Sequence, residues 1–233
     1  MRIGDWDSTM EQEKSFWDAW LQHYVDQGQS PSPFYWEAKA WVIKGILLLH
    51  NYVISRHTKI LEIGPGAIGT INTFEYGDLY ACEPLWDQFV EARPTFGPRY
   101  DRLRQDIKLL CYKAEDMPLD SGPFDIILAL NSLDHCEDPD LVLDNISVVL
   151  KQDGYFFEAT TVWPAHEDVD AACLADSHPY LYVGNELNVI IESYGLSLIE
   201  RPFRSAVLDE LWAEMLQFTA GSWPCYLRVW RKT

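Results

Sequence analysis

A doubly wound, largely parallel α/β sheet is the fold that this 233-residue sequence predicts, and three observations predict it. Short apolar runs recur at 59–63, 79–82, 109–112, 124–130 and 155–159, each about a strand long. Helical patterns at 85–92, 139–150 and 185–194 alternate with them, which implies βαβ units and helices on both faces of one sheet. The first run ends in Gly64-Pro65-Gly66-Ala67-Ile68-Gly69, a turn that lets a ligand approach the backbone closely.

Element by element, residues 10–27 place Phe16, Trp17, Trp20, Leu21 and Tyr24 at helical spacing, giving one aromatic face. Ser-Pro-Ser-Pro at 30–33 breaks that helix. A second helix is expected over 34–54, with apolar mass from Trp41, Ile46, Leu47, Leu48, Leu49 and Val53. Residues 1–55 therefore read as an N-terminal helical cap, and 56–233 as the main domain. In that domain Lys59–Ile63 is the first strand, and its glycine turn precedes a helical pattern. Leu79–Cys82 is the second strand, Leu109–Tyr112 a weaker third, Phe124–Leu130 the clearest of all and Tyr155–Ala159 the fifth. Pro139 opens a helix that runs to Leu150, with Asp138 as N-cap. Residues 162–183 read as loop, 185–194 as helix and 196–202 as strand. A helical insertion at 205–222, amphipathic over 206–219, precedes a closing strand at Tyr226–Trp230.

Eighteen Lys and Arg stand against 36 Asp and Glu, a net charge of −18. Such a body repels phosphate backbones and anionic membrane surfaces over a Debye length of roughly 8 Å, so neither nucleic acid nor membrane is an expected partner. The five cysteines (82, 111, 136, 173 and 225) are scattered, without a CxxC pair, and suggest neither a disulfide framework nor a zinc knuckle. The opening residues lack an apolar signal stretch, and the longest apolar run, 45–50, is far too short to cross a bilayer. Cytoplasmic residence is the expectation, and no cluster has a convincing metal-ligand spacing.

The glycine turn alone fits a nicotinamide or flavin dinucleotide as well as other adenosyl ligands. Glu62, two residues before Gly64, separates them: a pyrophosphate is repelled by a carboxylate there, whereas a cationic ammonium is attracted. Glu83 lies 83 − 64 = 19 residues beyond the first glycine, where an acid accepts hydrogen bonds from ribose hydroxyls of either cofactor.

Four segments then resemble class I S-adenosylmethionine-dependent methyltransferases, in particular the broad small-molecule, methyltransferase type 11-like group. LEIGPGAIG at 61–69 is similar to their first motif, and CEPL at 82–85 to the acidic second. KAEDMPL at 113–119 resembles their adenine-contacting segment, and FDIILALNSLDHCEDP at 124–139 the fourth strand with its cofactor-flanking loop. The likeness spans roughly 58–160 and continues through 185–194 into GLSLIERPF. It implies a seven-stranded Rossmann-like sheet and S-adenosyl-L-methionine as cofactor. By the same resemblance Gly64 and Gly66 pass the methionine and ribose, and Glu62 orients the turn or the ammonium. Glu83, with Pro84 and Leu85, belongs to the ribose segment; Ala114 and Glu115 meet the adenine edge; Asn131 and Ser132 flank the methionine arm. Lys113 departs from the family pattern, which often has Asp or Asn there, so the resemblance passes the adenine amino contact to Glu115.

Methyl transfer from a sulfonium is a displacement that depends chiefly on alignment, and a base is needed only when the acceptor must lose a proton. His135, just past the fourth strand, is the first candidate base, with packing or capping as its alternative role. His178 is the second, as acceptor contact or base, with a plain loop histidine as its alternative; it sits in a segment that resembles a histidine loop ahead of a helix over the acceptor pocket. Asp134 is a further possibility as base but reads rather as solvated or capping, and His166, Glu167, Asp168 and Asp170 read as a solvated acidic loop rather than a metal group. Phe16, Trp17, Trp20, Tyr24, Tyr35 and Trp36, together with Trp163, Tyr180 and Tyr182, are candidates for lining a pocket or simply for packing. The expected reaction is methyl transfer to a small-molecule or sugar-type acceptor, with oxygen favoured. A nicotinamide-dependent oxidoreductase and a non-catalytic binding protein of the same fold are the alternatives.

Overall fold

The computed structural model describes residues 5–27, 34–92, 106–163, 179–199 and 225–233. The helical insertion expected at 205–222, and with it His166, Glu167, Asp168, Asp170, Cys173 and His178, lies outside the described residues. Two helices come first, α1 (Trp6–Asp26) and α2 (Phe34–Leu49). The sheet follows as β1 (Lys59–Ile63), β2 (Asp78–Cys82), β3 (Lys108–Leu110), β4 (Phe124–Leu130), β5 (Leu150–Trp163), β6 (Tyr182–Val183), β7 (Leu196–Leu198) and β8 (Cys225–Lys232). Between strands stand α3 (Trp86–Ala92), α4 (Pro139–Val149) and α5 (Glu186–Ser193).

The main path of the sheet runs β3-β2-β1-β4-β5-β8-β7, and β6 pairs with the far end of β5. Strands β1 to β5 are parallel, whereas β8 runs antiparallel to both β5 and β7. The apolar runs of β1 and β4 are nearly continuous because both faces of these central strands are covered. One core lies between the sheet and α2, with Ile43, Leu47, Ile60, Phe74 and Phe157 buried. The other lies under α4 and α5, with Val142, Ile146, Ile191, Phe156 and Trp230. This is the doubly wound architecture expected.

Its details depart from the sequence pattern at four places. First, α2 stops at Leu49 instead of running to 54: Asn51 turns into the left-handed region (φ 57°) and the Tyr52 N–H bonds back to the Leu47 carbonyl at 2.8 Å. Second, no α-helix follows the glycine turn. A single 3-10 turn, Thr70–Thr73, stands there, its first N–H groups, those of Thr70 and Ile71, accepted by the Glu62 carboxylate. Third, β5 reaches from Leu150 to Trp163, longer than the apolar run. Leu150 pairs with Phe124 and a register shift absorbs the polar residues before Tyr155. Fourth, the supposed loop 162–183 contributes strand at both ends, Val162 pairing with Tyr182 and Trp163 with Val183. The α4 cap is as the sequence predicts, with the Asp138 side chain accepting the Leu141 N–H.

The chain runs outward from β1 to β2 and β3, then returns to β4 on the other side of β1. The strand order therefore reverses between β1 and β4, and the crevice at their carboxyl ends is where this architecture binds ligands. Among the described residues no helix is long and apolar enough to cross a membrane.

Candidate active site

Four loops meet at that crevice. After β1, Gly64 and Gly66 adopt positive φ (62° and 63°), which side-chain-bearing residues rarely do. A Cβ on Gly64 would stand 2.5 Å from the Ser132 Cβ, so a glycine lets the first turn press against the loop after β4. On that loop Asn131 also has positive φ (63°), and its N–H bonds to the Ala159 carbonyl of β5. After β2, the Glu83 carboxylate accepts the Gly66 N–H and the Leu85 N–H, both at 3.0 Å. The segment after β3 is held from behind by Asn145 of α4, whose amide donates to the carbonyls of Ala114 and Glu115 at 3.2 and 2.8 Å.

Together they enclose a cleft of about 300 Å³, at the lower end of the range of small-molecule sites. Glu62, Gly64, Gly66, Glu83, Pro84, Leu85, Ala114, Glu115, Asn131, Ser132 and His135 all line it. The ten residues that the sequence assigns to a cofactor thus converge on one cavity, with His135 beside them.

Helix α1 forms the roof. Trp17 lies over the glycine turn, near enough that a Cβ on Gly66 would meet its ring at 2.4 Å. It packs edge-on against Phe16, Trp20 and Phe89, and Trp20 against Trp36 and Tyr24. Phe16, Trp17, Trp20 and Trp36 line the cleft and pack on one another at once, so the two roles weighed for them coincide. Tyr180 instead donates its hydroxyl to the Glu137 carbonyl at 2.9 Å, and Tyr182 is buried in the core under α4 and α5. At the outer end Lys113 stands 3.5 Å from the centre of the Trp6 ring and pairs with Glu137 at 2.7 Å. Lys113 therefore ties the roof to the segment after β3.

The electrostatics are dominated by buried carboxylates. Burial pushes Glu83 up to about 7, against the opposing pull of the Leu85 and Gly66 N–H groups. Burial likewise raises Glu62, and the Ile71 and Thr70 N–H groups and Lys39 pull it back. Glu115 accepts the Asp138 N–H at 2.9 Å, which places one of its oxygens on the start of α4. His135 Nδ1 stands 2.9 Å from Glu13 of α1, and its Nε2 4.0 Å from Asp134. Asp134 is thus a buried neighbour of His135 and not a solvated residue. Glu13, Lys39 and Trp6 reach the cleft from helices far from every motif, and sequence reasoning missed them. The signal for Lys39 was present: it interrupts the inward stripe of Trp36, Ala40, Ile43 and Leu47 on α2.

These residues suit an adenosyl donor better than a dinucleotide. The N–H groups of Thr70 and Ile71, where a pyrophosphate would be met, are engaged by Glu62, and only a short 3-10 turn follows. Ser132 Oγ is buried at the cleft with no hydrogen-bond partner among the described residues, and Glu83 keeps further lone pairs for hydroxyl donors.

The comparisons with known proteins agree with this geometry. A family model described as a methyltransferase domain matches residues 61–157. Among solved structures, the YcgJ protein of Bacillus subtilis has a TM-score of 0.58 at 18% identity, over 80% of this chain and 96% of its own. A geranyl diphosphate C-methyltransferase from Streptomyces coelicolor, solved with S-adenosylhomocysteine, has a TM-score of 0.56 at 14% identity, over 84% of this chain and 79% of its own. The N-methyltransferase NodS from Bradyrhizobium japonicum, also solved with S-adenosylhomocysteine, has a TM-score of 0.54 at 15% identity, over 91% and 96%. A search of curated proteins gives no match. Residues 61–157 match the methyltransferase-domain model, and the chain has the fold of class I S-adenosylmethionine-dependent methyltransferases.

Proposed function

We propose that this protein transfers the methyl group of S-adenosyl-L-methionine to a small-molecule acceptor in the cytoplasm. The observation that carries the proposal is the Glu83 carboxylate, buried at the end of β2 and joined to the Gly66 N–H at 3.0 Å. A carboxylate in that position accepts two ribose hydroxyls and, with Glu62, favours a cationic donor.

The donor, when bound, supplies a methyl group on a positively charged sulfur. The residues of this chain supply position and proton management. Gly64 and Gly66 admit the ligand to the backbone, and Asn131 and Ser132 form the opposite wall. Ala114 and Glu115 form the adenine end, with α1 closing the cleft against water. Alignment of this kind supplies up to roughly 7–11 kcal/mol in favourable systems.

For the acceptor atom we favour oxygen, and His135 as its base. Carboxylates stand at both sides of its ring, Glu13 at Nδ1 and Asp134 at Nε2, and they stabilise the imidazolium formed when a proton is taken up. Both ring nitrogens are shielded from solvent, so the proton comes from a group held in the cleft. A small molecule or sugar is the acceptor class that an acidic surface of net charge −18 and an aromatic-roofed cleft of about 300 Å³ support.

The test is calorimetric titration with S-adenosylhomocysteine, followed by S-adenosylhomocysteine release from the donor across a panel of hydroxyl, amine and carbon acceptors. Binding plus hydroxyl-dependent release is the expected result. Release with amines alone would move the acceptor atom to nitrogen, and binding without release across the whole panel would favour a non-catalytic role.

A further inference from the structure

Helix α2 buries one face against the sheet and leaves the other bare. On the bare face Trp41 is 67% exposed and Leu48 and Leu49 are 59% exposed each. Across a groove of about 190 Å³ from Leu48 stands Tyr76, 52% exposed. These four side chains present on the order of 450 Å² of largely apolar surface, a patch of the size that marks an interaction site. The stripe carries little charge. From Trp41 to Leu49 the one charged residue is Lys44, whose amine turns back to the Thr73 carbonyl at 3.4 Å and lies over the Phe74 ring. Between Trp41 and Leu48 stands Gly45, a residue type that weakens a helix interior. The single chain does not call for a glycine there: among the described residues, a Cβ on Gly45 would meet nothing within 4 Å beyond its own helix.

A glycine in the middle of an exposed apolar stripe is accounted for by another backbone that comes close to it. We propose that this face of α2 is a self-association surface, on which a second copy of the chain packs its own α2 antiparallel to the first. The stripe fits itself, because Trp41 stands about one turn before Gly45 and Leu48 and Leu49 about one turn after it. A two-fold axis at Gly45 sets glycine against glycine where the helix axes come closest, and lays each Trp41 on the Leu48 and Leu49 of the other copy. The area agrees with a pair of chains. Two such patches and their polar margins remove roughly 1,000–1,200 Å² from water, the lower end of specific interfaces. The charge agrees as well: two bodies of net −18 repel one another, and here they meet across a stripe whose single charge is turned inward. The face is opposite to the one that carries Trp36 and Lys39 into the cleft, so the pairing stands apart from the donor reading above.

The experiment is sedimentation velocity of the full chain, wild type, Trp41→Glu and Gly45→Gln, from about 1 to about 100 μM. Wild-type protein is expected to reach twice the 26.9 kDa chain mass toward the upper end of that range. Trp41→Glu buries a carboxylate from each copy in the contact and should weaken association by about 100-fold or more, leaving a monomer throughout. Gly45→Gln is the sharper variant. It improves the helix and has open space in the single chain, so circular dichroism should show the fold kept, while a side chain at the crossing should weaken the dimer about tenfold or more. Wild-type protein that stays monomeric at about 100 μM overturns the proposal. A dimer that either variant leaves at wild-type strength overturns it too, since the contact then lies elsewhere, and growth beyond the dimer overturns the two-fold arrangement.

Discussion

Glu83 Oε2 accepts the backbone N–H of Gly66 at 3.0 Å, so the end of β2 holds the turn that follows β1. The same carboxylate is buried enough to be pushed up to about 7. One residue thus shapes the cleft and carries an ionisation that falls within the physiological range.

The first prediction follows from that ionisation. Ribose hydroxyls donate to the ionised carboxylate, so S-adenosylhomocysteine affinity should rise about tenfold between pH 6 and pH 8. In Glu83→Gln the rise should vanish, and in Glu83→Ala affinity should fall at every pH. Calorimetry at three pH values checks this; a wild-type profile as flat as the Gln variant contradicts it. The sign for stability is opposite. The folded value is raised from 4.5 to about 7, so Glu83 contributes stability that is fully present below 4.5 and lost as pH rises through 7.

A second prediction separates backbone conformation from contact. Gly66 and Gly195 both have positive φ (63° and 76°), but a Cβ on Gly195 meets nothing within 4 Å, whereas one on Gly66 runs into Trp17. Gly195→Ala should cost about 1–2 kcal/mol, the left-handed penalty alone. Gly66→Ala should cost more and should change tryptophan fluorescence, because α1 must shift. Equal losses in urea denaturation would mean that α1 does not rest on the glycine turn.

The third prediction concerns the sheet beyond the cleft. Arg228 of β8 forks onto the fully buried Glu158 of β5, at 2.6 and 3.1 Å. Arg228→Met leaves that carboxylate buried without its partner and should cost about 3–5 kcal/mol. The double variant Glu158→Leu with Arg228→Met should lose less than either single change. Additive losses in chemical denaturation would contradict the pairing.

His135→Ala should lower turnover by about 10²-fold or more with an oxygen acceptor. S-adenosylhomocysteine affinity should change by less than about threefold. Steady-state kinetics beside calorimetry checks both numbers, and full turnover in the variant would remove His135 as the base.

Much of the sheet was legible in the sequence because β1 and β4 are covered on both faces and their apolar runs have the length of the strand itself. The extension of β5 back to Leu150 was not, since Leu150 pairs with Phe124 across a register shift that the polar run Lys151–Gly154 does not announce. After Gly69 the chain makes a 3-10 turn where the sequence pattern suggests a helix, and its first N–H groups are taken by Glu62. For the cleft, residues on the short loops after β1, β2, β3 and β4 could be placed by order and spacing, because each loop springs from a strand end. Glu13 and Trp6 could not, since helical periodicity tells which face of α1 is inward but not which surface it covers.

The most direct measurement is a paired titration of the wild-type protein with S-adenosylhomocysteine and NADH at pH 8. Saturable heat with the first and none with the second is the predicted result. Tight NADH binding with no response to S-adenosylhomocysteine would contradict the account at its root.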